Sequence, residues 1–233
     1  MITLALMAAA FAAEPVSVKS LLAEMTDLDA LARFPEYRAR QASSYNRASV
    51  KRGEPGWFAD SDGVGFIREE TKTLKDGSTR KEWVAMEQEG PGAITRMWAP
   101  YFYYDFGDRT GPTVRVYLDG SEEPALEARW IELLTNNAWG RPYGAAPGKV
   151  NAFQVPEPLA RFTARAGDLY LPIPFAKGCK VTFDKPPFYN IVNSRAYPAG
   201  TAVETFTMDG MKSAGAAMAA ACAALTRERA EGA

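Results

Sequence analysis

The chain has 233 residues, 47% hydrophobic and 24% charged, with 27 Lys and Arg against 28 Asp and Glu. This is the composition of a globular chain long enough for one large β domain, without the basic excess a nucleic-acid partner demands. Histidine is absent, which excludes Ser-His-Asp and Cys-His nucleophile systems and His-ligated metals, and leaves carboxylates as the main catalytic resource.

Residues 1–12 form an apolar run ending in Ala10-Phe11-Ala12, the small-x-small pattern of a signal-peptidase site, and too short to span a bilayer. The expectation is an exported protein, secreted or periplasmic and not embedded in a membrane. Residues 13–36 form a helical segment: Ser17 to Phe34 predicts two short helices, capped by Ser17 and Thr26, with Leu21, Leu22 and Met25 on one face and Leu28 and Leu31 on the next.

After Pro35 the pattern changes. Clusters of Gly, Pro, Asn and Asp recur between short β-branched or aromatic runs, the punctuation of an antiparallel β protein. Strands are predicted at Gly65–Glu70, Lys81–Gln88, Ala93–Tyr104, Thr113–Leu118, Ala125–Trp130, Asp168–Phe175, Cys179–Asp184, Phe188–Asn193 and Ala202–Phe206. Val114 to Leu118 alternates between two faces before a turn at Asp119-Gly120, and Lys75-Asp76-Gly77-Ser78 reads as a similar turn. Many short strands without βαβ alternation define an all-β class, a sandwich or jelly roll over residues 37–207. Asn136 to Ala166 lacks periodicity and reads as a long loop.

Residues 208–233 turn helical, with Met211, Ala214, Met218, Cys222 and Leu225 on one apolar stripe. The two cysteines, Cys179 in a strand-like run and Cys222 in a helix-like one, read as separately buried thiols. No metal cluster or cofactor motif is seen, and no cofactor or metal is expected.

Glycoside hydrolysis needs only two carboxyl groups flanking the scissile bond. The candidates are Glu87 and Glu89, two apart on one strand face, Glu122, Glu123, Glu127, Glu132 and the Asp105/Asp108 pair. Solvation at strand ends and turns is the stronger reading of each of them. Arg38 to Arg47, RARQASSYNR, concentrates directional donors around one aromatic ring, a mixture that suits a sugar or a polar surface turn.

Taken in order, several blocks resemble the start of glycoside hydrolase family 172, formerly domain of unknown function 2961. They are Ser20 to Met25, RARQASSYNR, Pro55 to Asp62, Phe66 to Arg68, Glu89 to Trp98, Val114 to Gly120, Leu169 to Lys177, Tyr189 to Ile191, and the stretch on to Phe206. The resemblance covers most of residues 20–207. It implies a jelly-roll β-sandwich, retaining enzymes acting on fructofuranosides or arabinofuranosides, and assembly into homotrimers or their multiples.

Carried over residue by residue, it implies carbohydrate contact for Ser43, Ser44, Tyr45, Asn46 and Arg47, with Trp57, Asp60 and Asp62 as companions. Asn46 stands where the family usually has Asp, exchanging an acceptor-only carboxylate for an amide. The family's catalytic glutamates lie in Trp-Gly-Glu and Thr-Glu-Asp-Tyr blocks of a following jelly roll, and neither block occurs in these residues. The expectation is therefore the N-terminal half of a furanosidase, truncated before its catalytic pair. The alternative is a non-catalytic carbohydrate-binding or structural jelly roll.

Overall fold

A computed structural model describes residues 14–47, 49–57, 66–100, 112–134, 155–163, 166–185 and 189–227, the side chains of 131, 162 and 163 apart. The candidate signal peptide, Asp60, Asp62, and the Asp105/Asp108 pair lie outside the described residues.

The strands are β1 (Arg38–Ser43), β2 (Arg68–Thr73), β3 (Thr79–Glu89), β4 (Gly92–Pro100), β5 (Thr113–Leu118), β6 (Leu126–Arg129), β7 (Ala160–Thr163), β8 (Ala166–Leu169), β9 (Ile173–Phe175), β10 (Gly178–Phe183) and β11 (Ile191–Ala196). Sheet I has the order β1-β11-β4-β8-β7, with β9 also on β4; sheet II has the order β2-β3-β10-β5-β6. Every pairing between these strands is antiparallel. The result is an all-β, two-sheet sandwich of jelly-roll type, flanked by short helices.

Alternation decides which residues enter the core. Val114, Val116 and Leu118 of β5, facing Val181 and Phe183 of β10, point inward, while Arg115 and Tyr117 point to the outer face of sheet II. Two bulges adjust the pattern, in β3 opposite Val181/Thr182 and in β4 opposite Asn193/Ser194. Inside, Gln88 joins the two sheets: its Nε2 donates to the Arg195 carbonyl at 3.0 Å and its Oε1 accepts from Ser194 Oγ at 2.8 Å. Gly92 opens β4 beside this contact. A Cβ there would lie 2.4 Å from Gln88 Nε2 and 2.6 Å from the Arg195 carbonyl, so only glycine fits.

Asp119 (φ 54) and Gly120 (φ 80) form the predicted turn after β5, both left-handed. The Asp119 carboxylate accepts from the backbone N–H groups of Lys177 at 2.6 Å and Gly178 at 3.1 Å, and from the Thr205 hydroxyl. One turn residue thus clamps the β9–β10 connection and the chain after β11.

Several expectations need correction. Arg38–Ser43 is a strand, because an edge strand paired to β11 gains its ladder from the backbone whatever its side chains. Asp168–Phe175 splits into β8 and β9, which pair with opposite ends of β4 on either side of its bulge. The loop expected at Asn136–Ala166 contains β7 near its end. Ala202–Phe206 is not a strand: Val16 exchanges bonds with Ala202 and Glu204, whereas Phe206 donates to Pro174, so no single ladder forms.

Helix α1 (Val18–Glu24) starts in a capping box between Ser17 and Ser20. The second N-terminal turn, Leu28–Ala32, is a 3-10 helix capped by Asp27; the Thr26 hydroxyl instead donates to the Ala23 carbonyl. Its Leu28 and Leu31 are exposed and form no core face. The C-terminal helix is broken into α2 (Met208–Ser213) and α3 (Gly215–Leu225). Met211, Ala214, Met218 and Cys222 of the predicted stripe join the core, while Leu225 stays exposed. The stripe folds back onto the domain, against α1.

Candidate carbohydrate-contact site

The polar motif hangs from the end of edge strand β1, where it meets the start of β11. Ser44 is buried and locked to Asn190: its N–H donates to the Asn190 carbonyl at 3.0 Å, and its Oγ accepts from the Asn190 N–H at 2.9 Å. That anchor turns Tyr45 outward, 60% exposed, with the Arg47 guanidinium 4.7 Å from its ring centroid. Arg47 Nη2 approaches the Ser43 carbonyl at 3.4 Å. Ser43, Ser44, Tyr45 and Arg47 are thus gathered at one strand end, with Asn46 between them in sequence. Trp57 closes a separate turn, its N–H donating to Glu54, while Ser49 Oγ donates to the Gly56 carbonyl at 3.1 Å.

The motif is short of polar partners. Six buried side-chain polar atoms lack a hydrogen bond among the described residues, and three of them are Arg47 Nη1 and both amide atoms of Asn190. Asn190 is only 1% exposed, and a buried unsatisfied group costs about 1–3 kcal/mol. Such a deficit concentrated at one place fits a site built to receive polar groups. Asn190 was invisible in the sequence as a site residue, because only the β1–β11 pairing brings it beside Ser44.

The candidate carboxylates gather elsewhere. Glu70, Glu87, Glu89, Glu122, Tyr117 and Lys180 line a cleft of about 750 Å³ on the outer face of sheet II. Glu87 and Glu89 do line it together, as their spacing predicts. Arg68 binds Glu87 bidentately, at 2.7 and 3.1 Å, and Glu70 at 2.8 Å; Lys180 adds a bond to Glu70 at 2.8 Å. The Arg68 hydrogen bonds hold Glu87 below the usual carboxylate range. Burial would raise Glu70, but Lys180 and Arg68 outweigh it and leave it lowered too. A retaining glycosidase needs one carboxyl with a raised pKa to protonate the leaving group. Glu70 and Glu87 are instead held by ion pairs to Arg68 and Lys180 that favour their charged forms, the opposite of what a proton donor needs.

The remaining candidates are structural in their contacts. Glu123 pairs with Lys75 at 3.0 Å, Glu127 with Arg115 at 3.1 Å, and Glu132 accepts from the Arg129 N–H at 3.3 Å. Among the described residues no three His, Cys, Asp or Glu side chains are close enough to hold a metal ion. Cys179 and Cys222 are free and buried, and burial pushes both thiols upward. No described helix is long and apolar enough to cross a membrane.

The architecture and this strand-end cluster define the class: an antiparallel two-sheet sandwich of jelly-roll type, with a polar, aromatic-bearing motif at one sheet edge. Residues 35–214 match the GH172 first beta-sandwich domain, so the chain belongs to glycoside hydrolase family 172 and carries the first of its sandwiches. No curated protein compared with it matches the chain.

Proposed function

We infer that the chain is the substrate-contacting N-terminal sandwich of an exported furanosidase that acts on fructofuranosides or arabinofuranosides, and that the sandwich contributes sugar contacts rather than the catalytic pair. The family match supports the enzyme class. The observation that carries the sugar-contact reading is the strand-end cluster, where Tyr45 is exposed and Arg47 Nη1 and the Asn190 amide have no hydrogen-bond partner among the described residues. Hydroxyl groups both donate and accept, which is what an orphaned guanidinium N–H and an orphaned amide require. Ser43, Ser44, Asn46 and Arg47 then hold hydroxyls, Tyr45 and Trp57 offer ring faces, and Asp60 and Asp62 belong to the same stretch of chain.

Export rests on residues 1–12, and assembly into homotrimers or their multiples on the family. The test is calorimetric titration of the whole chain with furanosyl oligosaccharides. Tyr45→Ala is expected to weaken binding about tenfold; unchanged affinity would remove the motif from the site. Aryl furanosides are expected not to turn over, and turnover would show that the chain holds its own catalytic pair.

A further inference from the structure

The outer face of sheet I bears a second polar arrangement, bordered by this motif. The registers Gln41↔Asn193 and Asn193↔Arg96 place these three residues in one cross-strand row, and Ser43↔Ile191, Ile191↔Trp98 and Trp98↔Asp168 form the next. Behind them Ala42, Val192, Met97 and Leu169 pack into the core, so alternation turns both rows outward. Ser43 therefore belongs at once to the motif and to the row that contains Trp98.

The side chains of the rows are connected. Asn193 Nδ2 donates to Gln41 Oε1 at 3.2 Å, Arg96 Nη1 lies 3.5 Å from Asn193 Oδ1, and Arg96 Nε and Nη2 donate to Asp168 Oδ1 at 2.9 and 2.7 Å. Arg96 also lies 5.7 Å from the centroid of Tyr170, and Trp98 is half-buried on the same face. The line crosses four strands, about 14 Å of sheet at the usual spacing. At its far side Arg195 is tied to Glu24 of α1 at 2.7 Å and covers Tyr37, so the helical segment borders the face there.

The chemistry of the row selects its ligand. Asp168 pairs with Arg96, and the side-chain exposures of 29% and 8% show a pair already partly desolvated; the row runs on from Asp168 to Arg161 of β7. Beside these charges stand the amide donors and acceptors of Gln41 and Asn193 and the indole of Trp98, mounted on rigid strands. That combination suits an uncharged polyhydroxy chain longer than one ring.

We propose that this row is an oligosaccharide platform, on which residues of a furanose chain beyond the ring held by Ser43–Arg47 lie against Trp98, with hydroxyls taken by Gln41, Asn193 and the Arg96–Asp168 pair. The proposal rests on the furanoside reading of the motif and extends it from one ring to a chain.

The test is titration of the ¹⁵N-labelled whole chain with linear arabinofuranosyl and fructofuranosyl oligosaccharides, following the indole N–H signals, that of Trp98 identified from Trp98→Phe. Binding is expected to move the Trp98 signal, and Trp98→Ala and Gln41→Ala to weaken the longer oligosaccharides about tenfold and threefold, with the monosaccharide glycoside unaffected. Gln41 is exposed on an edge strand, so its variant folds even if Trp98→Ala does not. If wild type binds and Tyr45→Ala weakens it, but the Trp98 signal stays still and Gln41→Ala binds as wild type, the platform is refuted and the motif reading survives. If wild type binds none of these sugars, both fail together.

Discussion

Glu82 is a buried carboxylate bonded through both of its oxygens, and replacing it by Gln tests the described packing of sheet II. It is 1% exposed on β3. Its Oε1 accepts from Arg80 Nε at 2.6 Å and from the Tyr117 hydroxyl at 2.7 Å, and its Oε2 accepts from the Thr182 hydroxyl at 2.7 Å. Arg115 Nε stands 3.9 Å away. Burial would raise the Glu82 carboxyl, but the Thr182, Tyr117 and Arg80 hydrogen bonds outweigh it and leave it lowered. Gln keeps the shape and one acceptor but removes the charge that balances two arginines. Hydrogen bonds to charged groups contribute about 1.5–3 kcal/mol each, and breaking a buried pair costs about 3–5 kcal/mol. Because Gln retains part of the network, Glu82→Gln is expected to cost about 3 kcal/mol, or roughly 6–12 °C in Tm for a domain of this size. The sign of the pH dependence follows from the lowered carboxyl. Its contribution is complete above the unfolded value near 4.3 and drains away as pH falls through the folded value. Urea unfolding followed by tryptophan fluorescence should therefore show the widest gap between wild type and variant near pH 7, closing below about pH 4. Equal stability at pH 7, or a gap that grows on acidification, would refute the description of Glu82 as a charged, paired carboxylate.

Two further stability predictions follow from other elements. Asp119→Ala removes the carboxylate that joins the turn after β5 to Lys177, Gly178 and Thr205; the expected loss is about 2–3 kcal/mol by chemical denaturation. Since Asp119 is lowered by these bonds against the opposing effect of burial, the difference should be complete above about pH 4 and shrink as pH falls further, through the folded value. Met218→Ala, in the buried stripe of α3, is expected to cost about 2–3 kcal/mol and to raise amide exchange in α1, which α3 packs against. Unchanged protection in α1 would mean that the C-terminal helix does not cover it.

The parts of the fold legible in the sequence are those where one face differs from the other. Val114 to Leu118 was readable because apolar and polar side chains alternate, and Asp119-Gly120 because a turn with two left-handed residues favours that pair. β1 hid for the opposite reason: Arg38, Arg40 and Gln41 give an edge strand no apolar stripe, and its pairing to β11 is a backbone matter over 140 residues away in the chain. The same distance hid half the site. Sequence order kept Ser43 to Arg47 together, but no local pattern links Ser44 to Asn190 or Arg96 to Asp168 and Asn193.

The two outer faces of the sandwich divide the polar residues in a way that bears on function. On sheet II, Arg68, Lys180, Glu70 and Glu87 satisfy one another, and Arg80, Tyr117 and Thr182 satisfy Glu82; Lys72 lies 4.3 Å from the Tyr117 ring centroid and donates to the Glu122 carbonyl. A ligand entering that cleft must break charge-assisted bonds before it makes its own, a cost that grows with each pair displaced. At the β1 end of sheet I three buried atoms, Arg47 Nη1 and both amide atoms of Asn190, lack a hydrogen-bond partner among the described residues, against two of Arg115 on sheet II. Under the proposed reading a neutral sugar at the strand end meets no ready-made ion pair among the described residues of the motif, whereas in the cleft it meets several. The sheet II cleft is therefore the weaker candidate, and the strand-end cluster with its adjoining row is the place where the proposed carbohydrate contact displaces the fewest ion pairs.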